Sequence, residues 1–288
     1  KKLAEDQLVE LVTDFDAIIA GTEEITEKVM MAATKLKLIS RVGIGLDSVD
    51  LLAAERLQIG VSYTPDAPAP AVVDLTIGLM YSLLRKTNQA NIHMHQGNWH
   101  RFFGRRLVDC TIGVVGAGRV GSRVIESLSA LGCKKIMYYD KKIRLQESQH
   151  IVFAQKEEIY AMSDVISFHI PLDFETKNMV TANEIKLMKK DVSLINTSRG
   201  GVINEQDLCE ALKDKTIGGA AIDVFVHEPY QGILSQYDNC ILTAHMGSMT
   251  IDCRTQMEIE ATEEVVRFAT GDILRSKVPS EEYDIRRL

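Results

Sequence analysis

The feature that most constrains the fold is a glycine-rich segment, Gly116-Ala-Gly118-Arg-Val-Gly121, together with its surroundings. An apolar run at residues 111–115 predicts a strand before it, and an amphipathic pattern predicts a following helix that ends at Gly132. Glycines at these positions permit a tight turn and close approach of a pyrophosphate, while the helix N-terminus adds N–H donors. The segment therefore predicts a dinucleotide-binding unit. The apolar face of its helix is expected to consist of Val120, Val124, Ile125, Leu128 and Leu131.

An acidic residue follows at the position that reads the adenosine ribose. The next predicted strand, residues 136–139, ends at Asp140. A carboxylate there accepts hydrogen bonds from ribose hydroxyls and repels a 2′-phosphate, which favours NAD over NADP. Lys141 and Lys142 stand beside it, however, and either could meet a phosphate. The predicted cofactor contacts of this unit are Gly116, Gly118, Arg119, Val120, Gly121 and Asp140.

The composition limits the classes of partner. The chain has 288 residues, 45% of them hydrophobic, which allows a sizeable core and, by length, about two domains. Its formal net charge is -7 and it has no extended basic tract, so nothing predicts binding to nucleic acid. No apolar run approaches the ~20 residues of a membrane span. No signal peptide is visible, although the chain begins with Lys1 rather than Met, which leaves open what precedes it.

The cysteines and histidines give no clear metal site. The cysteines are odd in number and never form C-x-x-C, which argues against a disulfide scaffold or zinc site and for a reducing compartment. We therefore expect a cytoplasmic location and no bound metal. His93, His95 and His100 lie close together, but without a carboxylate or cysteine set we interpret them as part of a helix surface or dimer arm. The cysteines are Cys110, Cys133, Cys209, Cys240 and Cys253.

Short apolar runs alternate with helix-period segments along most of the chain, which predicts an α/β fold with parallel sheets flanked by helices. A helical stretch at residues 75–94, after a Pro-rich crossover at residues 65–70, separates the first three strands from the other six. Thr181 and Asn204 are predicted N-caps, and a last helix at residues 255–270 stops at Gly271. The predicted strands are residues 16–20, 38–42, 61–63, 111–115, 136–139, 165–168, 192–195, 219–224 and 241–243.

Three polar residues follow predicted strands in the second half of the chain: Arg199, Glu228 and His245. In an open parallel sheet, ligands bind at the carboxyl ends of the strands, so these side chains could point into one crevice. A guanidinium binds a carboxylate bidentately, a histidine exchanges a hydroxyl proton near neutral pH, and a carboxylate orients the imidazole. Each residue alone also fits a surface ion pair, a solvated loop acid or a capped core histidine. His227 is the rival for the acid/base role, but it has no strand-end position.

Together these residues resemble the D-isomer-specific 2-hydroxyacid dehydrogenase family, most closely its phosphoglycerate dehydrogenase branch. The resemblance runs nearly the whole length of the chain. The segments that carry it are Arg41-Val-Gly-Ile-Gly-Leu-Asp47, the Gly116 motif, Ser163-Asp-Val-Ile-Ser-Phe-His-Ile-Pro-Leu172 with Thr176, and the segments around Arg199, Asp223 to Pro229, and His245.

The resemblance implies a role for each matching residue. Arg199 is expected to bind the substrate carboxylate, His245 to act as acid/base and Glu228 to be its partner. The backbone around Ile44 and Gly45 is expected to bind the same carboxylate, and Arg41 to lie near the substrate. Asp223 is expected to hold the nicotinamide carboxamide. The further cofactor contacts that we predict are His169, Pro171, Thr176, Thr197 and Gly247.

The resemblance also implies an architecture of two Rossmann-like domains with the active-site cleft between them. Residues 1–68 and 248–288 would form the substrate domain, which lacks the family's opening βα unit. Residues 69–247 would form the NAD domain, which would make a homodimer through an arm near residues 75–100. We expect no regulatory serine-binding domain within this sequence.

The sequence leaves the identity of the substrate open. The expected substrate is a small 2-hydroxy or 2-keto acid, but the basic residue that commonly binds phosphate is replaced by Ala20-Gly-Thr-Glu-Glu24, and Pro68 and Asp74 also depart from the common pattern. A glyoxylate or hydroxypyruvate reductase is therefore the alternative enzyme. A non-catalytic NAD sensor, similar to the dehydrogenase-shaped transcriptional corepressors, is the alternative from another class.

Overall fold

The computed structural model describes residues 3–287, which form an α/β structure divided into two compact units. The first unit contains the described residues up to Pro68 together with those from Met249 onward, and the second unit is Ala69–Ser248. Within the described part of the chain, no helix is long and apolar enough to cross a membrane.

The first unit has a three-stranded parallel sheet. Its strands are β1 (Ala17–Ala20), β2 (Leu38–Arg41) and β3 (Gly60–Ser62), in the order β1-β2-β3. The side chains of Val29, Ile39, Leu51 and Val61 are completely buried in its core, so helices and sheet share one apolar interior. Its helices are α1 (Glu5–Leu11), α2 (Glu27–Ala32), α3 (Leu51–Arg56), α10 (Ile251–Thr270) and α11 (Ser280–Arg287).

The C-terminal segment belongs to the first unit through specific contacts. Ser40, on β2, donates its hydroxyl to the carbonyl of Ala261 on α10 at 2.8 Å, and Tyr63 N–H donates to the carbonyl of Ser276 at 3.0 Å. α10 ends at Gly271, whose left-handed φ of 76° stops the helix as predicted. Residues widely separated in the chain therefore form one folded body.

The second unit has a seven-stranded parallel sheet. Its strands are β4 (Thr111–Val115), β5 (Lys135–Tyr139), β6 (Ile151–Phe153), β7 (Val165–Phe168), β8 (Ser193–Asn196), β9 (Gly219–Ile222) and β10 (Cys240–Leu242), in the order β10-β9-β8-β7-β4-β5-β6. Its helices are α4 (Ala69–Arg85), α5 (Thr87–His95), α6 (Arg119–Ala130), α7 (Lys156–Met162), α8 (Ala182–Ile185) and α9 (Glu205–Lys213), with short 3₁₀ turns at Leu107–Asp109 and Ile233–Gln236.

Both faces of this sheet are covered. On β8, Leu194 packs into one apolar cluster with Ile166, whereas Ile195 packs into the opposite cluster with Ile112 and Val114. All five of these side chains are completely buried. Covering on both faces explains why the strands read as continuous apolar runs rather than alternating ones.

Three features of this unit differ from the expectations. None of the predicted strands covers β6, an edge strand that follows an exposed loop; its three residues, Ile-Val-Phe, are apolar but too few to show a period. The helical stretch at residues 75–94 is two helices, because Lys86 adopts a left-handed φ of 53° between them. Leu131 is 44% exposed rather than part of the buried face of α6, since it lies beyond the last helical turn.

Candidate active site

The glycine-rich segment forms a tight turn between β4 and α6. Gly116 has φ of 94°, and a Cβ there would collide with the carbonyl of His169; a Cβ on Gly121 would collide with the carbonyl of Gly116. Gly118, at the N-terminus of α6, has no atom within 4 Å of an added Cβ. Two glycines are thus required by packing, while the third leaves open space beside the first N–H groups of the helix. An anionic group such as a pyrophosphate fits that space.

Asp140 lies against the same turn. Its Oδ2 accepts a hydrogen bond from the Ala117 N–H at 2.9 Å, and its Oδ1 accepts one from the Lys142 N–H at 3.1 Å. Arg144 Nε lies 2.9 Å from Oδ1. Lys141 turns away and pairs with Glu175 at 2.6 Å. The sequence located the acid but missed Arg144 as its ionic partner.

His169 follows β7 and lines the turn. Its Nε2 lies 2.8 Å from the hydroxyl of Ser167, and burial lowers the pKa of His169 to about 3. The residue as a whole is only partly buried, but its Nδ1 has no contact with solvent, so the ring itself is enclosed. His169 is therefore neutral near pH 7, which is consistent with a lining role rather than proton transfer.

The segment after β7 is a closed turn. The hydroxyl of Thr176 donates to the carbonyl of Pro171 at 2.7 Å and accepts from the Asp173 N–H at 2.7 Å. Thr176 is 6% exposed. In the structure its hydroxyl shapes this turn, and any contact with cofactor stays a prediction.

The loop after β8 is built by Asn196, which the sequence reading missed. Its Nδ2 donates to the Arg199 carbonyl at 2.8 Å, and its Oδ1 accepts from the Ser198 N–H at 3.0 Å. An Asn at a strand end with Ser two residues later is a recognisable turn signal. Thr197 is buried, with its hydroxyl 2.8 Å from that of Thr76 on α4. The loop thus fixes the backbone on both sides of Thr197 and Arg199.

Asp223 organises the loop that carries His245. Its Oδ1 accepts from the Thr243 hydroxyl at 2.6 Å and from the Met246 N–H at 2.9 Å, and its Oδ2 accepts from the Gly247 N–H at 3.0 Å. Its backbone carbonyl accepts from the His245 N–H at 2.8 Å. His245 itself has a left-handed φ of 49°, a conformation that a histidine adopts rarely. The buried carboxylate therefore holds a strained loop in place.

Glu228 and His245 form a hydrogen-bonded pair. The Nδ1–H of His245 donates to Glu228 Oε2 at 2.8 Å, and Glu228 Oε1 accepts the Phe225 N–H at 3.0 Å. The side chain of Glu228 is 36% exposed and that of His245 is 50% exposed, so a ligand can reach both. Because the contact uses Nδ1, Nε2 is the ring nitrogen that can exchange a proton with a ligand. His227, the rival, is exposed next to Glu228.

Arg199 completes the polar groups at these strand ends. It is partly buried, and its Nη1 donates to the Ser198 carbonyl at 2.6 Å. The adjacent Gly200 has no room for a Cβ because the carbonyl of Phe225 lies against it. Since Phe225 also bonds Glu228, the loops after β8 and β9 are packed together. Arg199, Glu228 and His245 all lie beyond the carboxyl ends of neighbouring strands β8, β9 and β10.

The predicted substrate residues of the first unit lie at the end of β2 and in the turn that follows it. Arg41 is 9% exposed, and its guanidinium donates to the carbonyl of Val42. Gly43 N–H donates to the Thr64 hydroxyl at 2.7 Å, which ties the turn containing Ile44 and Gly45 to the end of β3. Arg41 is therefore largely enclosed by its own turn.

His93, on α5, and His100, which follows that helix, belong to an aromatic group. The ring centroids of His93 and His100 are 5.6 Å apart, and Phe102 lies 4.3 Å from His100. Among the residues from 3 to 287, no group of three or more His, Cys, Asp or Glu is placed to hold a metal ion. The five cysteines are free thiols and buried.

Comparison with known proteins gives one consistent result. The family model described as "D-isomer specific 2-hydroxyacid dehydrogenase, NAD binding domain" matches residues 77–247. The chain is 33% identical to D-3-phosphoglycerate dehydrogenase of Synechocystis over 282 residues, which are 96% of this chain and 51% of the relative. It is also 33% identical to glyoxylate reductase of Thermofilum pendens, covering 98% of this chain and 87% of the relative.

A solved structure of a protein from Thermus thermophilus superposes with a TM-score of 0.91 at 30% identity, covering 97% of this chain and 91% of that chain. The chain spans about half the length of the phosphoglycerate dehydrogenases that it matches.

Proposed function

Because this chain belongs to the D-isomer-specific 2-hydroxyacid dehydrogenase family, we propose that it transfers a hydride between NAD and a small 2-hydroxy or 2-keto acid. The observation that carries the proposal is the 2.8 Å hydrogen bond between His245 and Glu228 at the end of β10. It holds an imidazole with Nε2 directed away from its carboxylate partner. That is the arrangement an acid/base catalyst of alcohol oxidation requires.

His245, Glu228 and Arg199 have separate roles in this proposal. His245 Nε2 accepts the hydroxyl proton during oxidation and returns it during reduction, and Glu228 stabilises the imidazolium formed in between. Arg199 binds the substrate carboxylate through its fork of N–H donors. Arg41 and the backbone of Ile44 and Gly45 are proposed to contact the substrate as well, on the strength of the family resemblance of their segment.

The cofactor residues fit a dinucleotide. Open space at Gly118 and the N–H groups of α6 suit its pyrophosphate, and Asp140 suits its adenosine ribose. Val120 and Arg119 begin that helix, and Thr197, Asp223 and Gly247 are proposed to line the nicotinamide side. NAD supplies the hydride acceptor or donor when it is bound.

The main candidate for the substrate is 3-phosphoglycerate and its keto acid, as in the relatives of that name. One observation favours an unphosphorylated acid instead. Ala20, at the end of β1, pairs in register with Arg41, and Glu23 turns back so that Oε2 lies 2.9 Å from the position of a Cβ on Gly21. A carboxylate at this sheet edge opposes a phosphate. A glyoxylate or hydroxypyruvate reductase is therefore the second candidate.

The test is NADH oxidation by the purified chain with 3-phosphohydroxypyruvate, hydroxypyruvate, glyoxylate and pyruvate. Preference in kcat/KM for the phosphorylated acid supports the first candidate, and preference for a small unphosphorylated acid supports the second. Absence of turnover with every acid, together with NADH binding, contradicts the enzymatic proposal and favours the sensor alternative. Arg199→Lys should raise KM for the acid, and Arg106→Lys, at an exposed position before the amino end of β4, is its control.

We further propose a cytoplasmic homodimer. The segment around residues 75–100 and the residues just after it expose large apolar side chains, including Met94, Trp99 and Phe103 at 53%, 81% and 96%. Apolar side chains that cluster on a surface mark interaction sites, and these three fall within a short stretch of the chain. Light scattering should give twice the monomer mass for the wild type, and Trp99→Ser combined with Phe103→Ser should shift it toward the monomer. The free thiols support a reducing compartment.

A further inference from the structure

The acid expected to read the adenosine ribose carries its own cationic partner. Arg144 Nε lies 2.9 Å from Asp140 Oδ1, and the Asp140 side chain is only 12% exposed. An isolated carboxylate would repel a 2′-phosphate, but a carboxylate paired with a guanidinium repels it much less. Because of this ion pair, the presence of Asp140 does not by itself argue against binding of NADP.

Arg144 is held at this position by the fold of its turn. The buried hydroxyl of Tyr138, on β5, donates to the carbonyl of Leu145 at 3.0 Å and accepts the Leu145 N–H at 3.3 Å. At the other end of the turn, the Lys142 N–H bonds Asp140. The backbone on both sides of Arg144 is thus anchored to β5 or to the acid that ends it. The ion pair is therefore a built feature rather than an accidental meeting of surface charges.

The other two cations of the turn do not share this position. Lys141 pairs with Glu175 at 2.6 Å, and that hydrogen bond raises its pKa. Lys142 contacts Asp140 through its backbone, and its side chain is exposed. Arg144 is therefore the cation of this turn that reaches the Asp140 carboxylate. The contact uses its Nε–H, one of the five N–H donors of a guanidinium, and its side chain is 48% exposed.

We infer that Asp140 and Arg144 form a two-way site for the adenosine 2′ position, so that the chain binds NADPH as well as NADH. The 2′-hydroxyl of NADH donates to Asp140, while the 2′-phosphate of NADPH accepts from the guanidinium of Arg144. A phosphate with its charge of about −1.5 to −2 is bound well by a planar fork of N–H donors. This inference rests on the proposed dinucleotide site but not on hydride transfer.

The test is direct binding, which needs no substrate. The nicotinamide fluorescence of NADH and NADPH is titrated with the wild type, Arg144→Gln and Lys141→Gln. We expect the wild-type Kd for NADPH to exceed that for NADH by less than ~30-fold. Arg144→Gln should raise this ratio at least ~10-fold, about 1.4 kcal/mol. Lys141→Gln removes an equal charge at Glu175 and should leave the ratio unchanged within about 2-fold.

Asp140→Asn gives the complementary measurement, because removal of the carboxylate should lower the ratio of the NADPH Kd to the NADH Kd. A wild-type ratio above ~30, or equal ratios in wild type and Arg144→Gln, overturns the inference. Failure of both nucleotides to bind would instead overturn the dinucleotide site itself. Thermal unfolding of each variant confirms that a changed ratio comes from a folded protein.

Discussion

Glu228 joins two loops of the site: its Oε2 accepts the Nδ1–H of His245 at 2.8 Å, while its Oε1 accepts the N–H of Phe225 at 3.0 Å. One carboxylate therefore orients the imidazole and fixes the segment after β9. Because Glu228 also accepts the Phe225 N–H, the backbone of this segment fixes the carboxylate relative to the imidazole. The contribution of Glu228 is thus testable separately from that of His245.

Glu228→Gln should lower kcat by roughly 10- to 100-fold with little change in KM for the keto acid, because the amide cannot stabilise the imidazolium by charge. Steady-state kinetics with saturating NADH measures this. Glu205→Gln is the matched control. Glu205, on α9, accepts at 2.8 Å the N–H of Val226, which belongs to the same segment as Phe225. Equal losses in both variants would mean that Glu228 acts only on the backbone.

Asp223→Asn should lower both the free energy of unfolding and kcat. The carboxylate accepts three hydrogen bonds in the His245 loop through its two oxygens. In the variant an amide nitrogen replaces one oxygen and cannot accept the hydrogen bonds made there. Loss of one or more buried acceptors costs about 1–3 kcal/mol. Urea unfolding and kinetics measure the two effects, with Asp238→Asn, outside this loop, as control. A variant with wild-type stability and kcat would show that the loop holds His245 without Asp223.

Gly118→Ala should weaken NADH binding, whereas Gly121→Ala should lower the stability of the fold. Gly118 has room for a Cβ, so its variant should unfold at the wild-type temperature but bind NADH at least ~10-fold more weakly. Gly121 has the Gly116 carbonyl in the way, so its variant should be destabilised by at least about 2 kcal/mol. Gly78→Ala, in a helix with open space, is the control. Normal NADH affinity in Gly118→Ala would argue against a pyrophosphate at this turn.

His169 should make stability depend on pH. Burial lowers its pKa from 6.5 to about 3, so below pH 6.5 the unfolded chain binds a proton that the folded chain does not. The contribution of neutral His169 to the free energy of unfolding is complete above about pH 6.5 and decreases as the pH falls toward 3. Between pH 7.5 and 5.5 this amounts to about 1 kcal/mol.

Urea unfolding of wild type and His169→Gln at those two pH values measures this contribution. The variant should lose about 1 kcal/mol less on acidification, whereas His95→Gln, at an exposed position on α5, should behave as the wild type does. An identical pH dependence in His169→Gln and wild type would rule out an enclosed neutral ring.

The sequence predicts those features that local pattern determines. The alternation of apolar runs and helices, the turn at Gly116 and the cap at Thr181 each depend on neighbouring residues, and the structure contains all of them. β6 and the break at Lys86 were missed, because a short edge strand and a left-handed lysine have weak local signatures. The ends of the predicted strands shifted by at most two residues, whereas α4 begins at Ala69 rather than residue 75 and α10 at Ile251 rather than residue 255.

The supporting contacts of the site could not be predicted because they join distant positions. The bond from Thr243 to Asp223 and the anchoring of Leu145 by Tyr138 depend on strand register and loop geometry that no local pattern specifies. Positions after strands and the family resemblance pointed to Arg199, Glu228 and His245 and to the pairing of Glu228 with His245, but not to the backbone hydrogen bonds that fix their loops. The structure therefore adds mainly the groups that position the predicted ones.

The most direct test of hydride transfer follows the hydrogen itself. The purified chain is incubated with NADH that carries deuterium at both C4 positions and with each keto acid of the panel, and the hydroxy acid product is examined by mass spectrometry. We expect one deuterium at C2 of the product with the wild type and little product with His245→Asn. Bound NADH without a deuterated product from any acid would contradict hydride transfer by this chain.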